Sequence, residues 1–209
     1  MNQAARDTAV VYVVDDNDSV RKSLARLIGS VGLDVETFSS ASAFMERRLP
    51  GRPGCLVLDV RLSGSSGLDL QSTLGEAQRD LPIIFITGYG DVPMTVRAMK
   101  GGALDFLQKP YNDQDLLDAI QRALVQSREA LAESAERKEI QHRVDSLTSR
   151  EREVLMLVVT GMLNKQIAAE LGAAEKTIKV HRGRMMKKMQ ANSVAELVRM
   201  AEKVGVRAL

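Results

Sequence analysis

The sequence CLVLDV at residues 55–60 decides the fold. Its four apolar residues, flanked by Pro53-Gly54 and Ser63-Gly64, predict a strand buried on both faces, as in a parallel sheet. Asp59 then stands at the carboxyl end of that strand, where open α/β sheets place their chemistry. Taken alone, Asp59 is equally typical of a turn or a helix cap. The residues at the carboxyl ends of the neighbouring strands distinguish these interpretations.

Four further strands are predicted around this one. They lie at residues 10–14, 33–38, 82–87 and 103–108, and helical patterns alternate with them. Such alternation predicts an α/β fold in which a five-stranded, doubly wound parallel sheet carries helices on both faces. The loops at the carboxyl ends of the strands then form a single crevice.

Five polar residues are expected at this crevice: Asp15, Asp16, Asp59, Thr87 and Lys109. Three carboxylates repel one another unless a cation joins them, and carboxylate oxygens with room for water suit Mg²⁺. One carboxylate can then act as the nucleophile toward a phosphoryl group. The lysine supplies a positive charge for the phosphoryl oxygens, and the threonine hydroxyl can donate a hydrogen bond to one of them. Each residue alone is ordinary, but the set favours a phosphoacceptor site.

Composition limits the class of protein. With 209 residues, the chain has room for one large domain or two small ones. It has one cysteine, a polar N-terminus and no apolar run of the roughly 20 residues that a membrane span needs. We therefore expect a soluble, cytoplasmic protein that does not contact a membrane. Residues 148–209 hold 12 Lys and Arg against six Asp and Glu, and this charge of +6 indicates a polyanionic partner.

The middle of the chain is predicted to be helical. No Gly or Pro occurs from Asn112 to Thr160, and residues 125–147 are rich in good helix formers. Their apolar stripe is thin and lacks clean heptads, which favours a solvated connecting helix over a coiled-coil dimer seam.

Four helices are predicted in the basic tail, with glycines between the first three, as in a helix-turn-helix. The third, at residues 175–189, has six Lys and Arg and no acid over residues 176–188. Ile178, Met185 and Met189 can pack inward, which leaves a basic outer face suited to the major groove of DNA. The alternative is a solvated basic surface.

The crevice residues resemble the receiver domain of bacterial two-component response regulators. The motifs are VVDDN at 13–17, LDVR at 58–61, ITG at 86–88 and DFLQKP at 105–110. The resemblance implies the strand order 2-1-3-4-5 and a cis Lys109–Pro110 bond. It also implies that Asp59 takes a phosphoryl group from a sensor histidine kinase and that Thr87 and Phe106 form the switch pair. The implied Mg²⁺ ligands are Asp15, Asp16, Asp59 and the backbone carbonyl of Arg61. Residues 87–94 and 96–100 are similar to the FixJ-like branch.

One departure from the receiver pattern concerns Ser63. Proline is usual four residues after the phosphoacceptor, and serine leaves the loop less fixed in φ.

The tail resembles the LuxR-type DNA-binding domain at residues 147–155, 164–168 and 176–182. The resemblance implies that Lys179 and Val180 face bases, and that Thr177, His181 and Lys187 approach the backbone. The predicted DNA contacts are Lys176, Thr177, Lys179, Val180, His181, Arg184 and Lys187. Ala174 stands where a serine cap is usual, and Gly183 interrupts the recognition helix, each at a cost of about 1 kcal/mol.

The sequence thus predicts a FixJ-like regulator of the FixJ/NarL family. Residues 9–124 would form the receiver, 125–146 a helical linker and 147–209 an all-α, four-helix DNA-binding domain. Phosphorylation of Asp59 would cause dimerisation and binding to promoter DNA, with RNA polymerase as a further candidate partner. The protein would be no enzyme beyond its own phosphoryl transfer and dephosphorylation.

Two alternatives compete with this interpretation. One is an aspartate-nucleophile phosphatase, although Arg61 stands where such enzymes typically carry a second acid. The other is a small-molecule-sensing LuxR-type regulator.

Overall fold

A computed structural model describes residues 9–77, 81–88 and 91–206. The chain divides into two compact units, Met1–Ala132 and Glu133–Leu209.

The first unit is built on a parallel sheet. Its strands are β1 (Val10–Val14), β2 (Asp34–Phe38), β3 (Gly54–Asp59), β6 (Ile83–Thr87) and β7 (Asp105–Gln108). Their order is β2-β1-β3-β6-β7, which confirms the predicted five-stranded sheet. All six residues of β3 are buried, because the strand is central and helices cover both sheet faces. Asp59 therefore ends a strand that neighbours support on either side.

Helices cover the two faces of this sheet: α1 (Asp18–Ser30), α2 (Ala41–Met45), α3 (Gly67–Glu76) and α4 (Val92–Lys100). Alternate residues of each strand enter separate apolar clusters; Leu56 and Leu58 belong to one and Cys55 and Val57 to the other.

A short hairpin follows β3 and was not predicted. Its strands β4 (Arg61–Leu62) and β5 (Ser65–Ser66) pair antiparallel. Gly64 turns the chain with a φ of +87°, a conformation that favours glycine. The hairpin fixes the position of Ser63 beside the carboxyl end of the sheet.

The long helix α5 spans Asp113–Asp145 without a break over 33 residues. Its first turns bury Leu116, Ile120 and Leu124 in the first unit, where the Ser127 hydroxyl also accepts a hydrogen bond from the Gly54 N–H at 3.0 Å. Ile140 and Val144 lie in the core of the second unit. The helix is therefore more than a solvated connection at both ends, while the boundaries 9–124, 125–146 and 147–209 stay predictions.

The second unit continues with α6 (Ser149–Val159), α7 (Asn164–Glu170), α8 (Glu175–Met189) and α9 (Val194–Lys203). These are the four predicted helices, and a single apolar cluster joins them. Within the described ranges, no helix is long and apolar enough to cross a membrane.

Candidate phosphoacceptor site and nucleic-acid interface

A pocket of about 360 Å³ opens at the carboxyl ends of the parallel strands. The structure brings most of the predicted site residues together in its wall, which consists of Asp15, Asp16, Asn17, Val20, Asp59, Arg61, Thr87, Gly88 and Lys109. The residues come from four strand ends, as the topology requires, because parallel strands all finish at one edge of the sheet.

Lys109 joins two of the carboxylates. Its Nζ donates to Asp59 Oδ2 at 2.7 Å and to Asp15 Oδ2 at 2.9 Å. Burial works to lower the pKa of Lys109, but the hydrogen bonds to Asp59 and Asp15 outweigh it and raise that pKa. The ammonium group is therefore held charged between two acids.

The second oxygen of each of these carboxylates is held by backbone. Asp59 Oδ1 accepts the Arg61 N–H at 2.9 Å, and Asp15 Oδ1 accepts the Asn17 N–H at 2.8 Å. Burial raises the pKa of Asp15 even though Lys109 and Asn17 oppose the rise. The orientation of both carboxylates is thus fixed by Lys109, which they share, and by one backbone N–H for each.

Asp16 points elsewhere. Its Oδ2 accepts the Ser63 N–H at 3.0 Å and also the Ser63 hydroxyl, and these bonds lower the pKa of Asp16. Among the residues that the structure describes, no three His, Cys, Asp or Glu side chains converge closely enough to hold a metal ion. The donors nevertheless fit Mg²⁺ chemically, since carboxylate and carbonyl oxygens are its preferred protein ligands.

The predicted switch pair lies on β6, which pairs with β3, and on β7, the edge strand beyond it. Thr87 is buried at the end of β6, and its carbonyl accepts the Lys109 N–H at 2.7 Å. Phe106 is half-buried on β7 opposite Phe85, with 6.3 Å between their ring centroids. The Lys109–Pro110 bond is cis, as predicted.

Two further residues shape the site and were missed. Gly67 donates its N–H to the Val60 carbonyl at 2.8 Å, and a Cβ there would strike the Asp59 carbonyl oxygen. Arg21 Nη1 donates to the Asp15 carbonyl at 2.7 Å. For Gly67, the available signal in the sequence was a glycine at the start of a helix. For Arg21 the sequence gave no signal, since it is an ordinary arginine on a helix.

Helix α8 has the two faces that its sequence predicts. Ile178, Met185 and Met189 are buried. Of the predicted DNA contacts, His181 is half-buried, and the following are exposed: Lys176, Thr177, Lys179, Val180, Arg184 and Lys187. Ala174 makes no side-chain cap, as its sequence implies, and Gly183 is exposed with open space around it.

An ion pair between the buried Glu151 and the partly exposed Lys188 supports the start of α6 and the end of α8. Lys188 Nζ donates to Glu151 Oε2 at 2.6 Å and to the Ser146 carbonyl at 3.1 Å. The same Glu151 oxygen accepts the Thr148 N–H at 2.9 Å, which completes a capping box. In the sequence Lys188 is only one residue of the basic run, whereas in the structure Lys188 holds α8 against the start of α6.

Replacing Glu151 with glutamine is expected to destabilise the second unit by about 1–2 kcal/mol, since charge-assisted hydrogen bonds are lost at a buried position. The hydrogen bond from Lys188 lowers the folded-state pKa of Glu151. The ionised Glu151 therefore stabilises the folded state above the pKa of about 4.3 that a glutamate has in the unfolded chain. This stabilisation is lost as the pH falls through the pKa of Glu151 in the folded state. Hydrogen exchange at α8 amides against pH measures both effects. Glu153→Gln, at an exposed ion pair with Arg150, is the control; equal destabilisation by both substitutions would contradict the assignment.

Comparison with known proteins supplies the family. Residues 11–121 match the family "Response regulator receiver domain", and residues 145–201 match "Bacterial regulatory proteins, luxR family". Nodulation protein W of Bradyrhizobium diazoefficiens is 50% identical over 204 residues, which cover 98% of this chain and 90% of that protein. The transcriptional regulatory protein FixJ of Azorhizobium caulinodans is 45% identical over 196 residues, which cover 94% and 93%. The solved structure of the response regulator StyR is 49% identical, covers 94% of this chain and 99% of its own, and superposes with a TM-score of 0.83.

The fold and the crevice define a receiver joined to a helix-turn-helix domain. The chain belongs to the response regulators that carry a LuxR-type DNA-binding domain, and its relatives are transcriptional regulators of two-component systems. The prediction from sequence is confirmed at this level. The alternatives of a phosphatase and of a small-molecule sensor are set aside, because the receiver match runs through nearly the whole first unit.

Proposed function

We propose that Asp59 is the phosphoacceptor of this regulator and that a sensor histidine kinase is the donor. The observation that carries the proposal is the Lys109 ammonium, which joins Asp59 to Asp15 at 2.7 and 2.9 Å. Asp59 lies at the end of the central strand and is largely buried, but the pocket reaches it. A carboxylate held beside a fixed cation in a pocket is suited to receive an anionic phosphoryl group.

The reaction transfers one phosphoryl group. A carboxylate oxygen of Asp59 forms a bond to phosphorus while the bond from phosphorus to the kinase imidazole nitrogen breaks, and that nitrogen takes a proton. The Arg61 N–H orients the carboxylate, and Lys109 neutralises the charge of the phosphoryl oxygens. The same groups would let the receiver take a phosphoryl group from acetyl phosphate and later transfer it to water.

Magnesium is the proposed cofactor. Asp15, Asp16, Asp59 and the Arg61 carbonyl would hold it, and the ion would offset the charges of the phosphoryl group and the acids.

The output is proposed to be dimerisation. Helix α4 exposes Val92, Val96 and Met99, an apolar surface next to β7, which carries Phe106. Movement of Thr87 and Phe106 after phosphorylation would remodel this side of the receiver so that two copies pair. Paired recognition helices could then occupy two half-sites in promoter DNA, and contact RNA polymerase there.

A gel-shift assay tests this proposal. The probe is a duplex that the wild-type protein selects from a random pool. Acetyl phosphate with Mg²⁺ is expected to tighten binding and produce dimers in the wild type, and to change neither in Asp59→Asn. The four samples are wild type and Asp59→Asn, each with and without acetyl phosphate. Equal affinity and equal oligomeric state in all of them would contradict the proposal.

Lys187 is proposed to contact a DNA phosphate. Replacing it with alanine is expected to weaken binding to all duplexes alike and to reduce the slope of log affinity against log salt by about 1. Fluorescence anisotropy at several salt concentrations measures the slope. Lys138→Ala, an exposed change on α5, is the control; the same slope in both variants and wild type would exclude the contact.

A further inference from the structure

Asp16 differs from the other two acids of the pocket in where its carboxylate points. Asp15 and Asp59 both contact Lys109. Asp16 instead directs one oxygen, Oδ2, to the backbone N–H and the hydroxyl of Ser63, which is 47 residues away. In the first unit, Asp15 and Asp59 therefore contact Lys109, whereas Asp16 is hydrogen-bonded to the hairpin.

The hairpin explains how one residue supplies both donors. Ser63 lies in the turn between β4 and β5, directly before Gly64 with its φ of +87°. In this turn both the N–H and the hydroxyl of Ser63 face the loop after β1. A proline at this position, as is usual in receivers, would offer neither donor, because it has no N–H and no hydroxyl.

The hydrogen bonds from Ser63 to Asp16 affect how a divalent cation can bind in this pocket. Within the described ranges, no three acidic side chains converge on one point. An ion that binds through Asp16 Oδ2 has to compete with two hydrogen bonds to this oxygen, which are stronger than hydrogen bonds between neutral groups. Both residues are exposed, so water moderates this competition.

We infer that Ser63 is a positioning residue that holds one oxygen of Asp16, Oδ2, on the hairpin and so weakens Mg²⁺ binding. The inference rests on the proposed magnesium site. Ser63 would therefore lower the Mg²⁺ affinity. A residue that hydrogen-bonds and orients a bound metal ligand ordinarily raises this affinity.

The expected effect is graded. Ser63→Ala removes the hydroxyl and keeps the N–H, so the Kd for Mg²⁺ should fall about threefold. Ser63→Pro removes both donors, and the Kd should fall about tenfold. The alanine variant keeps the test decisive if proline distorts the turn.

The experiment is a titration of the full chain with MgCl₂, followed by the amide NMR signals of Asn17 and Arg61, which bond to Asp15 and Asp59. Ser30→Ala is the matched control, because the Ser30 hydroxyl donates to the Leu27 carbonyl of its own helix. Lower Kd values in both Ser63 variants, with the control unchanged, support the inference. Equal or higher values overturn it while the metal site stands. Absence of binding in every protein, wild type included, overturns the metal site and the inference with it.

Discussion

Replacing Lys109 with methionine is expected to slow the phosphorylation of Asp59 by acetyl phosphate about a hundredfold. Loss of one preorganised charge donor typically costs 10²–10³ in rate. The substitution also leaves Asp15 and Asp59 without the cation that joins them, so the two carboxylates face each other with less compensation. Methionine keeps the length and most of the apolar stem, so packing changes little.

The rate is measured by separating phosphorylated from unphosphorylated protein on a phosphate-affinity gel over time. Lys100→Met is the matched control, since Lys100 is an exposed lysine at the last turn of α4. The control should react at the wild-type rate. A Lys109→Met protein that folds and reacts as fast as the control would show that Lys109 takes no part in the transfer.

Replacing Gly67 with alanine is expected to be the most damaging single-methyl change in the first unit. The added Cβ would strike the Asp59 carbonyl oxygen and lie 3.1 Å from the Val60 Cα. Both neighbours are backbone atoms, which cannot move without shifting Asp59, the proposed phosphoacceptor. Such overpacking costs about 1–3 kcal/mol, and we expect the upper end of this range. Phosphorylation should slow as well, because Asp59 is displaced.

Gly75→Ala on the same helix gives the comparison. A Cβ at residue 75 meets nothing within 4 Å, so alanine there should stabilise the unit by about 0.5–1 kcal/mol. Calorimetric unfolding of the full chain measures both variants. If the two substitutions shifted the unfolding temperature in the same direction, the close approach of Gly67 to Asp59 would be of no consequence.

Much of the receiver could be predicted because its strands are short apolar runs that end in polar residues. The run at 55–58 identified the central strand, and the topology then brought Asp15, Thr87 and Lys109 to Asp59. Parallel order makes this inference strong, since every strand delivers its carboxyl end to the same edge.

The missed features depend on contacts between segments distant in sequence. The hairpin after β3 leaves only Gly64 as a trace in the sequence, and the bond from Ser63 to Asp16 joins two loops. The sequence of α5 similarly looks like a solvated connection, because Ser127 gives no sign that it receives the Gly54 N–H. Periodicity reports which face of an element is apolar, but not which polar group it meets.

The DNA-binding unit shows the same division. The inner face of α8 follows from helical spacing, and Ile178 and Met185 are buried as predicted. The roles of its basic residues do not follow from spacing. Lys188 bonds to Glu151, and Arg182 Nη1 donates to the Asn164 side chain at 2.9 Å, so both serve the packing of the helices.

Asp59 is the residue proposed to carry the phosphoryl group. The most direct measurement is to treat the full chain with acetyl phosphate and Mg²⁺, reduce it with borohydride, which converts an aspartyl phosphate to homoserine, and locate the converted residue by mass spectrometry. We expect conversion at Asp59 alone in the wild type and none in Asp59→Asn. Conversion at Asp15 or Asp16, or labelling that persists in Asp59→Asn, would contradict the account.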